Sequence, residues 1–247
     1  MTRERTNAWG QPVGPALEGW RGASQATSDP MEGARCRLES LSAALHAESL
    51  HEAYREASDG RDWTYLPYGP FETFAAYRAC VCGFEALEGT FFFAIVDRAG
   101  DRAVGVSAFL RASPEVGSIE VGHLSYAPVL QRSAMATEAM YLMMRRAFDD
   151  WGTRRYEWKC DRLNAPSRAA ARRLGFRFEG LFRQHAVTKG RSRDTAWYSI
   201  TDQEWPGIRE ALERWLDPAN FDETGRQRSS LSTWMPSSAG RSVVEEA

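Results

Sequence analysis

The chain lacks any apolar run long enough to span a bilayer, and its amino-terminal stretch lacks the apolar core of a signal peptide. It has only four scattered cysteines, which neither form a disulfide framework nor show metal-ligand spacing. The net charge of −2 argues against a basic surface that binds the phosphate backbone of nucleic acids. We therefore expect a cytoplasmic protein that binds no metal, no membrane and no nucleic acid.

The composition predicts a globular protein, because 43% of the residues are hydrophobic and 12% are aromatic. Residues 34–216 are expected to form its domain. Residues 1–33 show no hydrophobic period and should form an irregular arm, but Trp9 and Trp20 are costly to leave in water. The arm should therefore lie on the domain or on a second subunit, so a homodimer is possible. Residues 217–247 are polar and are predicted to be a disordered tail.

The clearest local pattern is a helix that ends at Trp151, just before Gly152. Apolar residues recur along it at three- and four-residue spacing, as in Met140, Met143 and Met144. It follows a strand-like run at 119–126, with small residues at the turn between them. The first amides of a helix have no internal partner and carry partial positive charge. The turn therefore predicts an anion site of the kind that holds phosphate.

The remaining elements predict an α+β domain. Helices are expected at 42–57 and 71–84, followed by an antiparallel meander of strands at 90–97, 103–111 and 118–126. A strand at 155–160 follows the long helix and should be parallel to the strand at 118–126. A short helix capped by Asn164, a final hairpin and a last helix at about 202–215 complete the order.

Two motifs carry a resemblance to a known family. Gln131-x-x-Ala134-x-Ala136 resembles the pyrophosphate loop of the GNAT acetyltransferase superfamily, with Ala134 where a glycine is usual. About thirty residues later, the segment from Asn164 and Ser167 through Leu174-Gly175-Phe176 to Glu179-Gly180 resembles its second cofactor element. The nearest branch is the RimJ/RimL-like one. The resemblance implies a mixed, mostly antiparallel sheet of about seven strands flanked by helices, with a V-shaped split between the central parallel strands.

The resemblance also implies that acetyl-CoA is the cofactor. The pantetheine arm would insert between the split strands, and the diphosphate would rest on loop and helix amides without a divalent metal. The implied cofactor-binding residues are Leu124, Ser125, Tyr126, Gln131, Arg132, Ser133, Ala134, Met135, Ala136, Thr137, Asn164, Ser167 and Arg168.

Transfer of an acetyl group to an amine requires a base, a polarised carbonyl and a stabilised leaving thiolate. Glu120 and His123 are the candidate bases, although residues three apart in a regular strand point to opposite faces unless a bulge intervenes. Ser167 matches the family serine near the cofactor sulfur. An acyl-enzyme on Cys160 is the rival chemistry.

The sequence constrains the identity of the acceptor less than that of the cofactor. In the family the first two helices and their link flank the acceptor site, so Trp63, Tyr65 and Tyr68 on the link are candidate acceptor residues. His185 and Tyr198, in the final hairpin, are further candidates, and Tyr198 is also an alternative acid. We expect direct attack by a primary amine in a ternary complex, with an amino sugar, amino acid or antibiotic as acceptor. A protein amino terminus is the alternative acceptor. A second alternative is a regulatory module that binds acyl-CoA without turnover.

Overall fold

A computed structural model describes residues 5–57 and 59–237. The strands are β1 (Arg5–Thr6), β2 (Pro12–Val13), β3 (Met31–Glu32), β4 (Cys36–Ser40), β5 (Thr90–Asp97), β6 (Arg102–Ser113), β7 (Ser118–Tyr126), β8 (Arg155–Asp161), β9 (Arg177–Thr188) and β10 (Arg191–Thr201). The helices are α1 (Ala43–Arg55), α2 (Phe74–Glu85), α3 (Ala134–Arg145), α4 (Ala165–Arg173) and α5 (Trp205–Leu216). A π-helical turn, Arg146–Asp150, continues α3. None of the described helices is long and apolar enough to cross a membrane.

The main sheet has eight strands in the order β3-β4-β5-β6-β7-β8-β10-β9 within the described residues. Every neighbouring pair is antiparallel except β7 and β8, which α3 connects as a parallel pair. The predicted mixed, mostly antiparallel sheet is therefore confirmed. It has one strand more than expected because Met31–Glu32 pairs with the start of β4.

The helices cover the two faces of the sheet unequally. On one face, α3 and α5 enclose the larger core, with Met140, Met143, Ile208 and Leu212 packed against strand residues such as Tyr156. On the other face, α1 and α2 pack on β5 and β6 through a second core. Cross-strand neighbours share a face of a sheet, so this second face continues from Ala108 and Leu110 on β6 to their β7 partners Gly122 and Glu120.

The parallel strands separate halfway along their length. Pairing between β7 and β8 runs from Ser118 with Arg155 to Val121 with Trp158. Beyond that point β7 remains paired with β6 through Tyr126, and β8 remains paired with β10 through Asp161. The carboxyl-terminal halves of β7 and β8 therefore diverge. The expected V-shaped split is confirmed.

A β-bulge lies on β7 at this split. His123 and Leu124 lie opposite the single residue Ser107, and His123 has a φ of 51°. A bulge shifts the alternation of side chains by one residue. It can therefore bring onto one face two side chains that a regular strand would separate.

Both ends of the chain extend the fold beyond its expected limits. In the arm, Trp20 donates from its indole to the Glu115 carbonyl, 3.0 Å away, and β3 joins the sheet. At the other end, Leu231 is 2% exposed and Asn220 is also buried. The expectation of a disordered tail therefore does not hold for residues 217–237. Residues 1–4, 58 and 238–247 lie outside the described part of the chain.

Candidate active site

The first element of the site is the amino terminus of α3. Ser133 caps the helix, because its hydroxyl accepts from the Ala136 amide at 3.0 Å and donates to the Leu130 carbonyl at 2.7 Å. The amides of Ala134 and Met135 have no acceptor among residues 5–57 and 59–237. Arg132 is exposed, with a φ of 57°. This helix end presents free N–H groups and partial positive charge to an incoming anion.

The second element is the amino terminus of α4. Asn164 caps this helix by accepting from the Ser167 amide at 3.1 Å. The Ser167 hydroxyl accepts a hydrogen bond from the Trp158 indole at 3.0 Å. Because β7 and β8 are parallel, the turns that follow them lie at the same edge of the sheet. The sequence-predicted cofactor residues on both turns therefore come together there, beside Leu124, Ser125 and Tyr126 on the diverging strand.

The loop between α1 and α2 bridges the two turns. The Gln131 side-chain amide donates to the Asp62 carboxylate and to the Tyr126 carbonyl, both at 2.9 Å. The Tyr65 hydroxyl donates to the Leu163 carbonyl, just before α4, at 3.0 Å. This loop therefore spans the open end of the split from one candidate cofactor turn to the other.

The hairpin of β9 and β10 also reaches the loop. Lys189, at its tip, donates to the Trp63 carbonyl at 2.7 Å. Trp63 itself is 8% exposed and packs edge-on against Tyr54, Tyr68 and Phe71. The indole of Trp63 therefore packs within the loop, whereas the hydroxyls of Tyr65 and Tyr68 reach Leu163 and His123.

His123 lies at the bulge and is surrounded by aromatic rings. Its Nδ1 lies 3.3 Å from the Tyr68 hydroxyl, and its ring contacts those of Tyr68, Phe84 and Phe92. Burial lowers the pKa of His123 from 6.5 to about 4, and the positive charge of Arg111 adds to the effect. The imidazole is therefore neutral at neutral pH, and one of its nitrogens has a lone pair to offer.

Glu120 is 4% exposed and lies in a chain of ion pairs. Its carboxylate contacts Arg111 at 2.8 Å and Lys159 at 2.7 Å. Lys159 also contacts Glu157 at 2.8 Å, and its ammonium lies 3.7 Å from the centre of the Trp197 ring. A cation that is buried in this way is stabilised by paired carboxylates and by the face of the indole.

Glu120 and His123 point to the same face of the sheet. Glu120 pairs with Leu110 on the face that α1 and α2 partly cover, and His123 contacts Phe92 and Phe84 on that face. The bulge produces this arrangement, because without it residues an odd number apart would point in opposite directions.

The remaining acceptor candidates, His185 and Tyr198, lie on the hairpin of β9 and β10. His185 is on β9, where its Nδ1 lies 2.9 Å from the Thr195 hydroxyl beside an open cavity of about 640 Å³ lined by Phe182, Arg183, Gln184 and His185. Its ring contacts Trp197, which links it to Lys159. Tyr198 is fully buried in the core on the other face, and Arg168 Nε lies 3.4 Å from its hydroxyl. The structure therefore separates Tyr198 from Glu120 and His123.

Comparison with known proteins assigns the family. Residues 35–177 match the family model described as the acetyltransferase (GNAT) domain. The chain belongs to the GNAT acetyltransferase family. The resemblance carried by the two motifs is thereby confirmed.

Individual relatives agree with this family. A GCN5-related N-acetyltransferase structure from Brucella melitensis is 40% identical, with a TM-score of 0.86 over 88% of this chain and 99% of that one. The N-acetyltransferase p20 of Bacillus licheniformis, itself uncharacterised, is 29% identical over 47% of this chain and 64% of its own length. The chain thus spans less than two thirds of that relative.

A more distant solved structure shares the fold. RimL, a ribosomal L7/L12 α-N-protein acetyltransferase, is 20% identical, with a TM-score of 0.59 over 73% of this chain and 99% of that one. At this level of identity the similarity concerns the fold alone.

Sequence reasoning missed several residues of this GNAT site. Arg111, Lys159, Trp158 and Trp197 belong to no motif, and their contacts depend on the register between strands that are distant in sequence. A signal did exist for Lys159, since it alternates on β8 with the apolar residues Trp158 and Cys160. That alternation places it on the opposite face from the core.

Proposed function

We propose that this protein transfers the acetyl group of acetyl-CoA to the primary amine of a small molecule, by direct attack in a ternary complex. The observation that carries the proposal is the split between β7 and β8, with two helix amino termini at its open edge and with Glu120 and His123 on one face beside it. A donor at the edge and an acceptor on that face would meet at the split.

The residues at the edge fit acetyl-CoA. The free amides of Ala134 and Met135, together with the exposed Arg132, suit a diphosphate. The backbone of residues 124–126 along the split suits the pantetheine arm, as in the family. The side-chain oxygen of Asn164 caps α4, and its amide NH₂ group would be a donor to the arm.

The chemistry divides among three side chains. Acetyl-CoA supplies an activated acetyl thioester. An uncharged amine would form the C–N bond as the C–S bond of the thioester breaks, and the proton that its nitrogen loses would pass to the leaving sulfur or to water. The neutral imidazole of His123 would accept a hydrogen bond from this amine, and Glu120 would hold the side chains of Arg111 and Lys159 beside it. The Ser167 hydroxyl accepts from the Trp158 indole, and it would stabilise the leaving sulfur by donating a hydrogen bond without losing its proton.

Direct attack is favoured over an acyl-enzyme on Cys160. Burial raises the pKa of the Cys160 thiol, and the side chain is 5% exposed. A thiol of this kind is a poor nucleophile, because the thiolate is the reactive form. A Cys160→Ala variant that still turns over supports this part of the proposal, and loss of turnover in a folded variant would contradict it.

Two alternatives are part of the same test. A peptide amino terminus is the other acceptor class, and a module that binds acyl-CoA without turnover is the other function.

We also propose a cytoplasmic location, where free thiols persist, since Cys36, Cys80, Cys82 and Cys160 are all unpaired.

The first experiment is the thermal unfolding of the purified protein with and without acetyl-CoA. Binding to the native state raises the midpoint temperature. The second experiment measures thiol release with amino sugars, amino acids, aminoglycoside-type amines and short peptides. A thermal shift with thiol release from a small amine supports the proposal. A shift with release only from peptides favours the alternative acceptor, and a shift without any release favours the binding module.

A further inference from the structure

Arg111 contacts Glu120 on the face of the sheet that also carries His123, and its backbone has a conformation that few arginines adopt. Its φ is 52°, in the left-handed region, at a bulge where Arg111 and Ala112 lie opposite Ile119 alone. Bulges next to functional sites re-aim a side chain, and a strained non-glycine residue is a reason to look for a function. Here the bulge directs Arg111 across to Glu120 on β7.

Arg111 is the positively charged side chain at the solvent-exposed end of the chain of ion pairs. Glu120 is shared by Arg111 and Lys159, and Glu157 is shared by Lys159 and Arg155. The Arg111 side chain is 61% exposed, whereas those of Lys159 and Glu120 are 8% and 6% exposed. A charged ligand on this face could therefore contact Arg111 without first breaking the buried pairs.

Arg111 also retains donors for a ligand. Its Nη1 donates to Glu120, and among residues 5–57 and 59–237 no other acceptor contacts it. Its positive charge reaches His123, since it contributes to the lowered pKa of that imidazole. Arg111 thus contacts Glu120 directly and acts electrostatically on His123, the two groups that the proposed function places beside the amine.

We infer that Arg111 selects the acceptor, and that the acceptor is a small amine that also carries a carboxylate. This inference rests on the proposed function and narrows its substrate class. A guanidinium binds a carboxylate through paired N–H groups, and the charge-assisted bonds are strong and directional. An amine near His123 with its carboxylate on Arg111 would be oriented at both ends.

The test compares amino acids with the matching amino-acid amides as acceptors at one pH. The wild-type protein is expected to favour the carboxylates about tenfold or more in kcat/KM. In Arg111→Ala this preference should fall to about twofold or less, mainly through a higher KM for the carboxylates. Arg111→Lys should retain part of it. The comparison between proteins cancels the difference in intrinsic reactivity between an acid and its amide.

Arg102→Ala is the matched control, since Arg102 is a half-exposed arginine of the same strand paired with Glu56. It should keep the wild-type preference. A wild-type protein without the preference, or an equal loss for acids and amides in Arg111→Ala, would overturn the inference. Thiol release only from amines without a carboxylate would also overturn it. The thermal shift with acetyl-CoA separates these failures from a failure of the proposed function, and it should be the same in Arg111→Ala.

Discussion

Ser167 shows how one hydrogen bond can define the role of a side chain. The Ser167 hydroxyl accepts from the Trp158 indole at 3.0 Å, so its own proton is a donor, for which a leaving sulfur would compete with the neighbouring Cys160 thiol. If that proton stabilises the leaving thiolate, then Ser167→Ala should lower kcat about 10- to 100-fold and change the Kd for acetyl-CoA by less than about threefold. Stopped thiol-release assays and calorimetric titration give the two quantities.

Two further variants make this prediction specific. Ser113→Ala removes a hydroxyl on β6 that bonds only to Glu115 among the described residues, and it should change neither quantity. Trp158→Phe removes the indole N–H while keeping a ring, and it should lower kcat in the same direction as Ser167→Ala. An equal loss of kcat and affinity in Ser167→Ala would make the serine a binding residue only.

His123 should make the stability of the protein depend on pH. Its pKa is about 4 in the folded protein and has an ordinary value of 6.5. As the pH falls from 6.5 towards 4, the unfolded chain binds a proton that the folded chain does not, so the free energy of unfolding decreases. The full effect is about 3 kcal/mol at most. Urea unfolding of the wild type and His123→Phe between pH 7 and pH 4.5 should show a flatter pH dependence in the variant. Parallel curves would contradict the buried, neutral histidine.

At the scale of elements, the amino terminus of α3 is the proposed diphosphate site. Ala136→Glu puts a carboxylate beside the free amides and should abolish measurable binding of acetyl-CoA, because like charges repel at short range. Ala136→Gln adds almost the same volume without the charge, so it should retain more of the acetyl-CoA affinity than Ala136→Glu does. Equal losses in the two variants would mean that crowding, and not charge, is the cause.

The loop between α1 and α2 places a negative charge at the same turn. The Asp62 carboxylate accepts from Gln131 at 2.9 Å, so it lies beside the proposed diphosphate. Asp62→Asn keeps the shape and an acceptor oxygen, and it should tighten acetyl-CoA binding about two- to tenfold, with a larger effect at low salt.

Asp59→Asn is the control for this prediction, because Asp59 is in the same loop and pairs with Arg61. It should leave the Kd unchanged. Weaker binding in Asp62→Asn, at any salt concentration, would show that the Asp62–Gln131 contact shapes the site instead of opposing the cofactor.

Much of the arrangement of these elements could be predicted from the sequence. The strands at Thr90–Asp97 and Ser118–Tyr126 have the predicted limits, since β-branched and aromatic runs end there at polar turns. Asn164 and Gly175 bound α4 as their capping preferences indicate. These signals are local, so they can be read without knowledge of the fold.

The parts that could not be predicted depend on contacts between distant residues. The bulge at His123 exists only relative to Ser107 on β6, and the ion pairs of Glu120 depend on the register of β6 and β8. The folded tail is a similar case. Leu231 is one of a few scattered apolar residues in a mostly polar stretch, and only the packing around α5 shows that it is buried.

At the scale of the whole molecule, residues 217–237 join α5 to the start of the domain. The Trp215 indole donates to Gln227 at 2.8 Å, and the buried Asn220 donates to the Trp215 carbonyl at 3.0 Å. Phe221 lies under the guanidinium of Arg35, 4.8 Å from its ring centre. The Arg35 amide in turn donates to Glu138 on α3. The segment therefore contributes to the core that supports α3 and its amino terminus.

This packing predicts a measurable loss of stability when Leu231 is truncated. Leu231→Ala removes buried methyl groups and leaves a cavity, so the free energy of unfolding should fall by about 2–4 kcal/mol. Leu45→Ala, at a position on α1 that is 76% exposed, should change it by less than about 0.5 kcal/mol. Urea unfolding of both variants gives the comparison. If the two variants lost equally little stability, residues 217–237 would not be part of the folded core. A large loss confined to Leu231→Ala, with acetyl-CoA binding retained under native conditions, would show that the segment supports the fold without being part of the proposed site.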